Sequence, residues 1–425
     1  KSAALPLMQG TVWRMDEAST VGLCSRPQPP VADDARMRHN ARWYFAGLSA
    51  SLLGNSAMSL IAGIWVKDLT GSSSQAGLVS ACVYAPTLIA PVAGVVADRL
   101  PRRTWLLWIN LVSAATILPL LAVRSRAETW IIFAAMAVYG IEATLIDPAE
   151  DALFAEMFTR EFRRRISGSR LAIQETGRLL APLLGAALFV AVGGGAVAAL
   201  DAATFIVAAS AILRLQLSRG VRAPPTEPLR RALITGAHHI WRTPSIRVVA
   251  IAATAIMALS GAGVASQYSL VAGLGQRPAF LAVFNATLGA GSIVASLTTS
   301  RVIGRIGERR LALLGLINFA AGTGLRALPS LPAALLGSLV LGFALPWVFL
   351  AILNLAQRHT PTELQGRVSG ALTLALFGPQ APMQALGSLL IDHASYVQIY
   401  LASAALSLLL AAWFASRARG VTECA

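Results

Sequence analysis

Twelve stretches of about 20 mainly apolar residues run through this chain, and each is long enough to cross a bilayer as a helix. Hydrophobic residues make up 56% of the 425 residues and charged residues only 13%, against about 25% charged residues in soluble domains. The pattern predicts an all-α membrane protein with twelve transmembrane helices. The predicted spans are residues 42–66, 75–97, 104–123, 129–150, 166–192, 195–217, 247–272, 279–300, 311–328, 332–354, 367–391 and 397–416.

The distribution of basic residues predicts the orientation of these spans. With the N-terminus placed in the cytoplasm, 29 of the 35 lysines and arginines fall on the cytoplasmic side. We therefore expect a multi-pass protein of the cell inner (plasma) membrane with both termini cytoplasmic. The cations that give the chain its net charge of +15 then lie mainly beside the anionic lipid of the cytoplasmic leaflet. Because lipid accounts for the positive charge, a nucleic-acid partner is not expected. Five cations are assigned to loops on the opposite side: Lys67, Arg124, Arg126, Arg277 and Arg326.

Short motifs recur at a nearly constant offset in the two halves of the chain. The sequence Arg-x-Ser-Gly starts at Arg165 and again at Arg367, 202 residues later, and the pairs Arg102-Arg103 and Arg309-Arg310 are 207 residues apart. These offsets predict two pseudo-symmetric six-helix bundles with a substrate site between them near the bilayer midplane. The expected segments are a flexible cytoplasmic tail (1–40), the N-terminal bundle (41–217), a cytoplasmic linker (218–246), the C-terminal bundle (247–416) and a cytoplasmic tail (417–425).

The sequence lacks residues that several functional classes of protein require. The two lysines, Lys1 and Lys67, lie outside any Gly-Lys-Ser/Thr loop, so the chain has no ATP-binding loop of that type. The three cysteines are far apart, which predicts neither a disulfide framework nor a metal site. An intramembrane enzyme or a receptor is the contrasting class, but no HExxH or GxSxG motif is present and the tails are short. We expect a transporter without cofactor or metal, driven by an ion gradient.

The loop after the second span carries the sequence Gly94-Val-Val-Ala-Asp-Arg-Leu-Pro-Arg-Arg103. It resembles the signature Gly-x-Leu-Ala-Asp-Arg-x-Gly-Arg-Arg of the major facilitator superfamily, with Pro101 in place of a glycine. The segments 68–72 and 361–368 resemble the branch that contains enterobactin and macrolide exporters. The resemblance covers residues 40–416 and implies the major facilitator fold and efflux of a small molecule by alternating access. A lipid or lysolipid flippase, or an importer, on the same scaffold is the alternative.

The same loop is interpreted as a cytoplasmic gate. Asp98 can cap the positive N-terminus of a neighbouring helix and pair with an arginine there. The family resemblance implies that this helix is the eleventh and that the partner is Arg367. The alternative for the arginines is a basic loop that only fixes topology. The predicted gate residues are Asp98, Arg99, Arg102, Arg103 and Arg367.

The fifth span resembles the antiporter signature of drug–proton exporters, Gly-x8-Gly-x3-Gly-Pro-x2-Gly-Gly. Two of its glycines are alanines here, at Ala181 and Ala186, and the small size of these positions is kept. Ordinary close packing of helices is the alternative explanation. The matching residues are Gly168, Gly177, Pro182 and Gly185.

Three charged residues are predicted to lie deep in the N-terminal half. Glu175 and Arg178 share one face of the fifth helix, about 13–18 Å from its start. Glu142 on the fourth helix reaches a similar depth and is a candidate partner of Arg178. Because charges are costly at this depth, we expect all three to face the cavity and to couple protons to transport. A static ion pair is the alternative. Asp201, near the outer end of the sixth span, is compatible with a functional role or with a surface ion pair.

Polar and aromatic residues on the presumed inner faces are predicted to line the substrate cavity. Such a cavity suits small amphiphilic or aromatic substrates. The expected partners are therefore a small molecule, protons and the lipid bilayer, and the expected assembly is a monomer. The predicted cavity residues are Asn55, Tyr139, Gln174, Gln267, Tyr268, Asn285, Trp347 and Gln380.

Overall fold

The structure is a computed structural model that describes residues 31–89, 101–217, 229–361 and 364–420. Within these ranges the regular structure is helical, without strands. The helices are α1 (Val31–Thr70), α2 (Ser73–Tyr84), α3 (Arg102–Ile117), α4 (Thr129–Met157), α5 (Arg160–Val192), α6 (Gly194–Leu213), α7 (Leu229–Arg242), α8 (Pro244–Ala262), α9 (Val264–Gly273), α10 (Leu281–Ile306), α11 (Glu308–Arg326), α12 (Leu331–His359), α13 (Gln365–Phe377), α14 (Gln380–Leu390) and α15 (Tyr396–Gly420).

These helices form the predicted bundle of twelve membrane spans. Nine helical stretches in the described ranges are long and apolar enough to cross a membrane. The seventh span is divided into α8 and α9 and the eleventh into α13 and α14, while α2 continues as a 3-10 turn over Ala85–Ile89. Glycine or proline lies at each interruption.

Helical structure also occurs outside the predicted spans. Residues 31–40, which belong to the expected flexible tail, already form the start of α1. Met37 and Asn40 are buried there, and the Asn40 amide donates to the backbone carbonyl of Gln216 at 2.9 Å. The expected linker contains α7, which packs on α13 where Gly236 contacts the backbone carbonyl of Arg367.

The buried apolar residues form three clusters, and their distribution shows where the molecule is open. We call the end at which α1 begins and α15 finishes the terminal end, and the opposite end the far end. At the far end one cluster contains residues of both halves, including Ile61, Phe205 and Tyr268. At the terminal end each half has its own cluster, one around Leu153 and one around Ile352. Among the described residues, the two halves therefore share a core at the far end and have separate cores at the terminal end.

Matching helix contacts show the twofold repeat in space. On α5, Gly185 faces Ala57 of α1, and a Cβ atom there would lie 2.8 Å from the Ala57 Cβ. On α14, Gly387 faces Ala262 at the end of α8, with a Cβ atom 2.8 Å from the Ala262 Cα. Gly387 follows Gly185 by 202 residues and Ala262 follows Ala57 by 205 residues.

A second pair of contacts repeats at the same offsets. Gly140 on α4 packs against the backbone carbonyl of Val83 on α2. Gly342 on α12 packs against the backbone carbonyl of Leu288 on α10. The separations are again 202 residues for the glycines and 205 for their partners. The two halves thus keep the same close helix crossings, which only glycine permits at these distances.

Candidate transport pathway

A central cavity of about 620 Å³ lies between the two halves. Residues of α1, α2 and α5 form its wall in the N-terminal half, and residues of α8–α12, α14 and α15 form it in the C-terminal half. The cluster shared by both halves closes the far end. Residues next to the breaks in the interrupted spans also line the cavity: Tyr84, Gly261 and Gln380. The irregular backbone at these breaks therefore lies against the cavity.

Glu175 and Arg178 lie on the cavity wall, as expected from their depth on the fifth span. The Arg178 Nη1 and the Glu175 Oε1 are 3.4 Å apart. The Glu175 side chain is 34% exposed and the Arg178 side chain is 70% exposed, so water reaches both groups. The pair lies one turn before Pro182, which also lines the cavity. Glu142 is not part of this pair, in contrast to the expectation that it would bind Arg178.

Four of the predicted cavity residues lie on the wall, and four do not. Tyr268 closes part of it, with its hydroxyl against Gly63 of α1. Trp347 instead packs within the C-terminal half, its ring centroid 5.5 Å from that of Phe343. Gln174 is half-buried and lies beside the wall residue Glu175, but it is outside the cavity lining. The predicted residues on the wall are Gln267, Tyr268, Asn285 and Gln380.

The other two predicted cavity residues, Asn55 and Tyr139, lie behind the wall in the core of the N-terminal half. The Tyr139 hydroxyl donates to the Asn55 Oδ1 at 2.9 Å. Asp201 of α6 lies beside Tyr139 and is fully buried. These contacts need a short distance between α1 and α6, which Gly54 provides, because a Cβ atom there would overlap the Asp201 carboxylate.

Glu142 belongs to this same buried region. It is 6% exposed, and its Oε1 accepts a hydrogen bond of 3.2 Å from Thr116 of α3. It lies close enough to Asp201 for the two charges to interact. One oxygen of each carboxylate, Oε2 of Glu142 and Oδ2 of Asp201, has no hydrogen-bond partner in the described part of the chain. We call Glu142 and Asp201 the buried carboxylate pair.

The sequence did not identify Asp201 as a member of this pair. Its neighbours come from α1 and α4, which are distant from α6 in the sequence. The available signal was its position within an apolar span, where ionisable residues are rare and often functional.

Arg326 differs most from its expected position. It was assigned to a loop on the far side, but it is the last residue of α11, is 3% exposed and lines the closed end of the cavity. Its Nε and Nη2 atoms donate to the Ser338 Oγ at 3.0 and 2.8 Å. The physical reason is that α11 continues to the end of the span, so its final turn places the side chain between α10, α12 and α15.

The predicted gate is described only in part, because Asp98 and Arg99 lie outside the described residues. Arg102 pairs with Glu156 of α4 at 3.0 Å, and Arg103 donates to the backbone carbonyl of Leu213. These contacts hold both arginines within the N-terminal half. Arg367 lies near the start of α13, where its carbonyl contacts α7. The contact between Asp98 and Arg367 stays a prediction.

The residues of the helix 5 signature bring α5 close to α1. A Cβ atom at Gly177 would lie 3.2 Å from the Leu52 Cβ, and Gly185 faces Ala57 as described above. Pro182 is buried between these two glycines. Gly168 has open space around it, because no atom lies within 4 Å of a Cβ placed there. Three of the four signature residues therefore lie in the packed part of α5.

Comparison with known proteins identifies relatives of this chain. It is 25% identical over 391 residues to the multidrug efflux pump Tap of Mycolicibacterium fortuitum, covering 84% of this chain and 91% of the relative. It is 23% identical over 306 residues to the MFS-type transporter YfiS of Bacillus subtilis (strain 168), covering 68% of this chain and 71% of the relative.

Solved structures share the fold at low sequence identity. The POT family transporter PepTSo superposes with a TM-score of 0.71 at 11% identity, covering 90% of this chain and 98% of that chain. An inward-facing bacterial homologue of the lysosomal transporter Spinster gives 0.64 at 14% identity, covering 92% and 98%. The family model described as Major Facilitator Superfamily matches residues 44–383. This match spans most of the chain, and the chain is therefore a multi-pass membrane transporter that belongs to the Major Facilitator Superfamily.

Proposed function

We propose that this protein is a proton-coupled exporter of small amphiphilic molecules that works by alternating access. The buried carboxylate pair is the observation that carries the proposal. Two carboxylates share an apolar core, and in the described part of the chain Arg178 pairs with Glu175 and Arg358 with Glu308. Because an anion is costly to bury without a cation, each proton bound or released there changes the energy of the N-terminal half substantially.

Efflux is supported by two further observations. The relative Tap is a multidrug efflux pump, and the segments that resemble enterobactin and macrolide exporters favour the same direction. The distribution of the basic residues favours a cytoplasmic terminal end, and with that orientation the separate cores at this end correspond to an inward-open arrangement. In this arrangement the cavity takes up substrate from the cytoplasm, and we assign the protein to the plasma membrane as a monomer.

The proposed roles of the residues follow from their positions. Glu142 and Asp201 carry the proton, and Glu175 with Arg178 links its movement to the cavity wall. The predicted wall residues Gln267, Tyr268, Asn285 and Gln380 contact the substrate. Asp98, Arg99, Arg102, Arg103 and Arg367 form the cytoplasmic gate.

Proteoliposomes with an imposed pH gradient test this function. The purified protein is assayed with a panel of siderophores, antibiotics and lysolipids, with the collapsed gradient as reference. We expect gradient-dependent movement of at least one compound, and loss of that dependence in Glu142→Gln and Asp201→Asn. Asp392→Asn, at an exposed carboxylate, is the matched control and should behave as wild type.

The outcomes separate the candidate functions. Unchanged proton-driven efflux in both Glu142→Gln and Asp201→Asn excludes these two residues as proton carriers. Gradient-dependent movement of lysolipids alone indicates a flippase. Uptake in the opposite direction indicates an importer.

A further inference from the structure

The closed end of the central cavity contains a buried cation. Arg326 is 3% exposed, and its guanidinium carbon lies 5.9 Å from the centroid of the Phe284 ring. Its hydrogen bonds go to the neutral Ser338 hydroxyl. Ser338 is itself fully buried and donates to the backbone carbonyl of Ala334, so its own hydrogen is already used.

This cation has no carboxylate partner in the described part of the chain. The polar group beside it is the neutral Tyr400 hydroxyl. The acidic residue on the same helix, Glu308, pairs with Arg358 at 3.0 Å at the terminal end. The C-terminal carbonyls of α11 lie close to Arg326 and offset its charge only in part. A buried charge without a counterion is costly, and an anion that enters the cavity would supply one.

Polar groups around Arg326 are also available for a ligand. The Tyr400 hydroxyl is buried beside the guanidinium without a hydrogen-bond partner of good geometry. Gln384 is 3% exposed, and its Oε1 likewise has no partner in the described ranges. Both side chains, together with Thr323 and Ser403, line the cavity at this end. A hydroxyl and an amide can donate to an anion that also binds the arginine.

The rest of the cavity does not cancel this charge. Glu175 and Arg178 form a pair on the opposite wall, and Glu142 and Asp201 lie behind the wall in the N-terminal half. Among the described residues that line the cavity, the charges of Glu175 and Arg178 offset each other, and Arg326 contributes one excess positive charge.

We propose that Arg326 and Tyr400 form a binding site for the anionic group of the transported molecule, at the closed end of the cavity. The substrates are amphiphiles with a carboxylate or a similar oxyanion, whose apolar part extends along the cavity. This inference rests on the proposed function, because it takes the cavity as the substrate pathway. The oxyanion belongs to a solute rather than to a lipid headgroup, since the site lies in the interior of the C-terminal half.

Equilibrium binding to the purified protein tests the site without any transport. The protein is placed in phosphatidylcholine nanodiscs, and the fluorescence of three probes is titrated: dansylglycine, the neutral dansylglycine amide and the cationic dansylcadaverine. We expect the wild type to bind dansylglycine about tenfold more tightly than the amide, the factor that a single charge-assisted contact supplies. Arg326→Gln should abolish the preference, and Arg326→Lys should keep part of it.

Two further variants make the test independent of how well Arg326→Gln folds. Ser338→Asp places a carboxylate against the guanidinium and should abolish the preference while the arginine stays in place. Arg277→Gln removes an exposed cation at the same end of the molecule and should leave the preference unchanged. Phosphatidylglycerol added to the nanodiscs shows whether a lipid headgroup competes for the site.

Equal binding of the three probes by the wild type would overturn the proposal, as would a preference for dansylglycine that persists in folded Arg326→Gln or Ser338→Asp. Competition by phosphatidylglycerol would keep the anion site and assign it to lipid. An anion preference in a protein that shows no proton-driven efflux would retain the site and reject the proposed function.

Discussion

Gly54 on α1 stands where any side chain would overlap Asp201 and Thr204 of α6. The absence of a Cβ atom allows the two helices to enclose the carboxylate. We expect Gly54→Ala to separate them and to lower the free energy of unfolding by ~1–3 kcal/mol, as overpacking does. Thermal unfolding of the purified protein measures this change.

Gly304 on α10 provides the matched control, because a Cβ atom there meets no other atom within 4 Å. Gly304→Ala should unfold at an equal or higher temperature, since alanine favours the helix. Equal unfolding temperatures for Gly54→Ala and wild type would contradict the close packing of α1 on α6.

The pair of Glu175 and Arg178 can be tested against the alternative of a static ion pair. Both side chains are partly exposed to the cavity, and exposed pairs contribute only about 0–1 kcal/mol to stability. Arg178→Gln should therefore leave the unfolding temperature nearly unchanged while it reduces proton-driven efflux. A large drop in unfolding temperature with normal efflux would favour the static role.

For individual residues, the sequence predicted positions along a helix better than contacts between helices. Counting residues from the start of the fifth span placed Glu175 and Arg178 on the cavity wall, because the helical rise is constant. The same counting could not show that Glu142 faces Thr116 and Asp201, since that depends on the rotation of α3, α4 and α6. Arg326 was counted with the loop cations although the predicted span 311–328 includes it, because the contacts that bury it come from other helices.

At the scale of helices, the far end depends on contacts of α2 with the C-terminal half. A Cβ atom at Gly77 would lie 3.0 Å from the Ala265 Cα of α9 and would also meet Ser388 of α14. A branched side chain should therefore force the two halves apart at the far end. We expect Gly77→Val to make the cavity accessible from that side.

A cysteine at Ser260, on the cavity wall, can report this opening in a background without the three native cysteines. An impermeant maleimide applied from the far side should label Gly77→Val several times faster than the parent. Gly195→Val is the control, because the space around Gly195, at the far end of α6, is open. Similar labelling rates in Gly77→Val and Gly195→Val would argue against a far-end gate at α2.

The twelve spans could be predicted because their apolar length is a local property of the sequence. The interruptions of α8/α9 and α13/α14 coincide with glycine or proline, but apolar length alone did not predict them or their position against the cavity. The break is set by the partner helices, which must satisfy the freed backbone groups.

For the whole molecule, the proposed cytoplasmic termini and the proposed opening at the terminal end can be tested together. The parent with a cysteine at Ser260 should react with an impermeant maleimide faster in inside-out than in right-side-out vesicles. The physical reason is that, within the described ranges, the core shared by the two halves lies at the far end. Faster reaction in right-side-out vesicles would contradict either the cytoplasmic termini or the inward-open arrangement.

The repeated glycine contacts have a consequence for the history of the chain. Contacts recur at separations of 202 and 205 residues, whereas the basic pairs in the first turns of α3 and α11 are 207 residues apart. The second unit is therefore longer than the first between α10 and α11 and shorter between α11 and α12. In both repeats the helix crossings keep their partners, and the differences in length fall between the crossings. The connection over residues 124–127 is exposed and lies between the third span, which ends at Ala122, and α4, so it is the place where this protein should accept an inserted peptide tag.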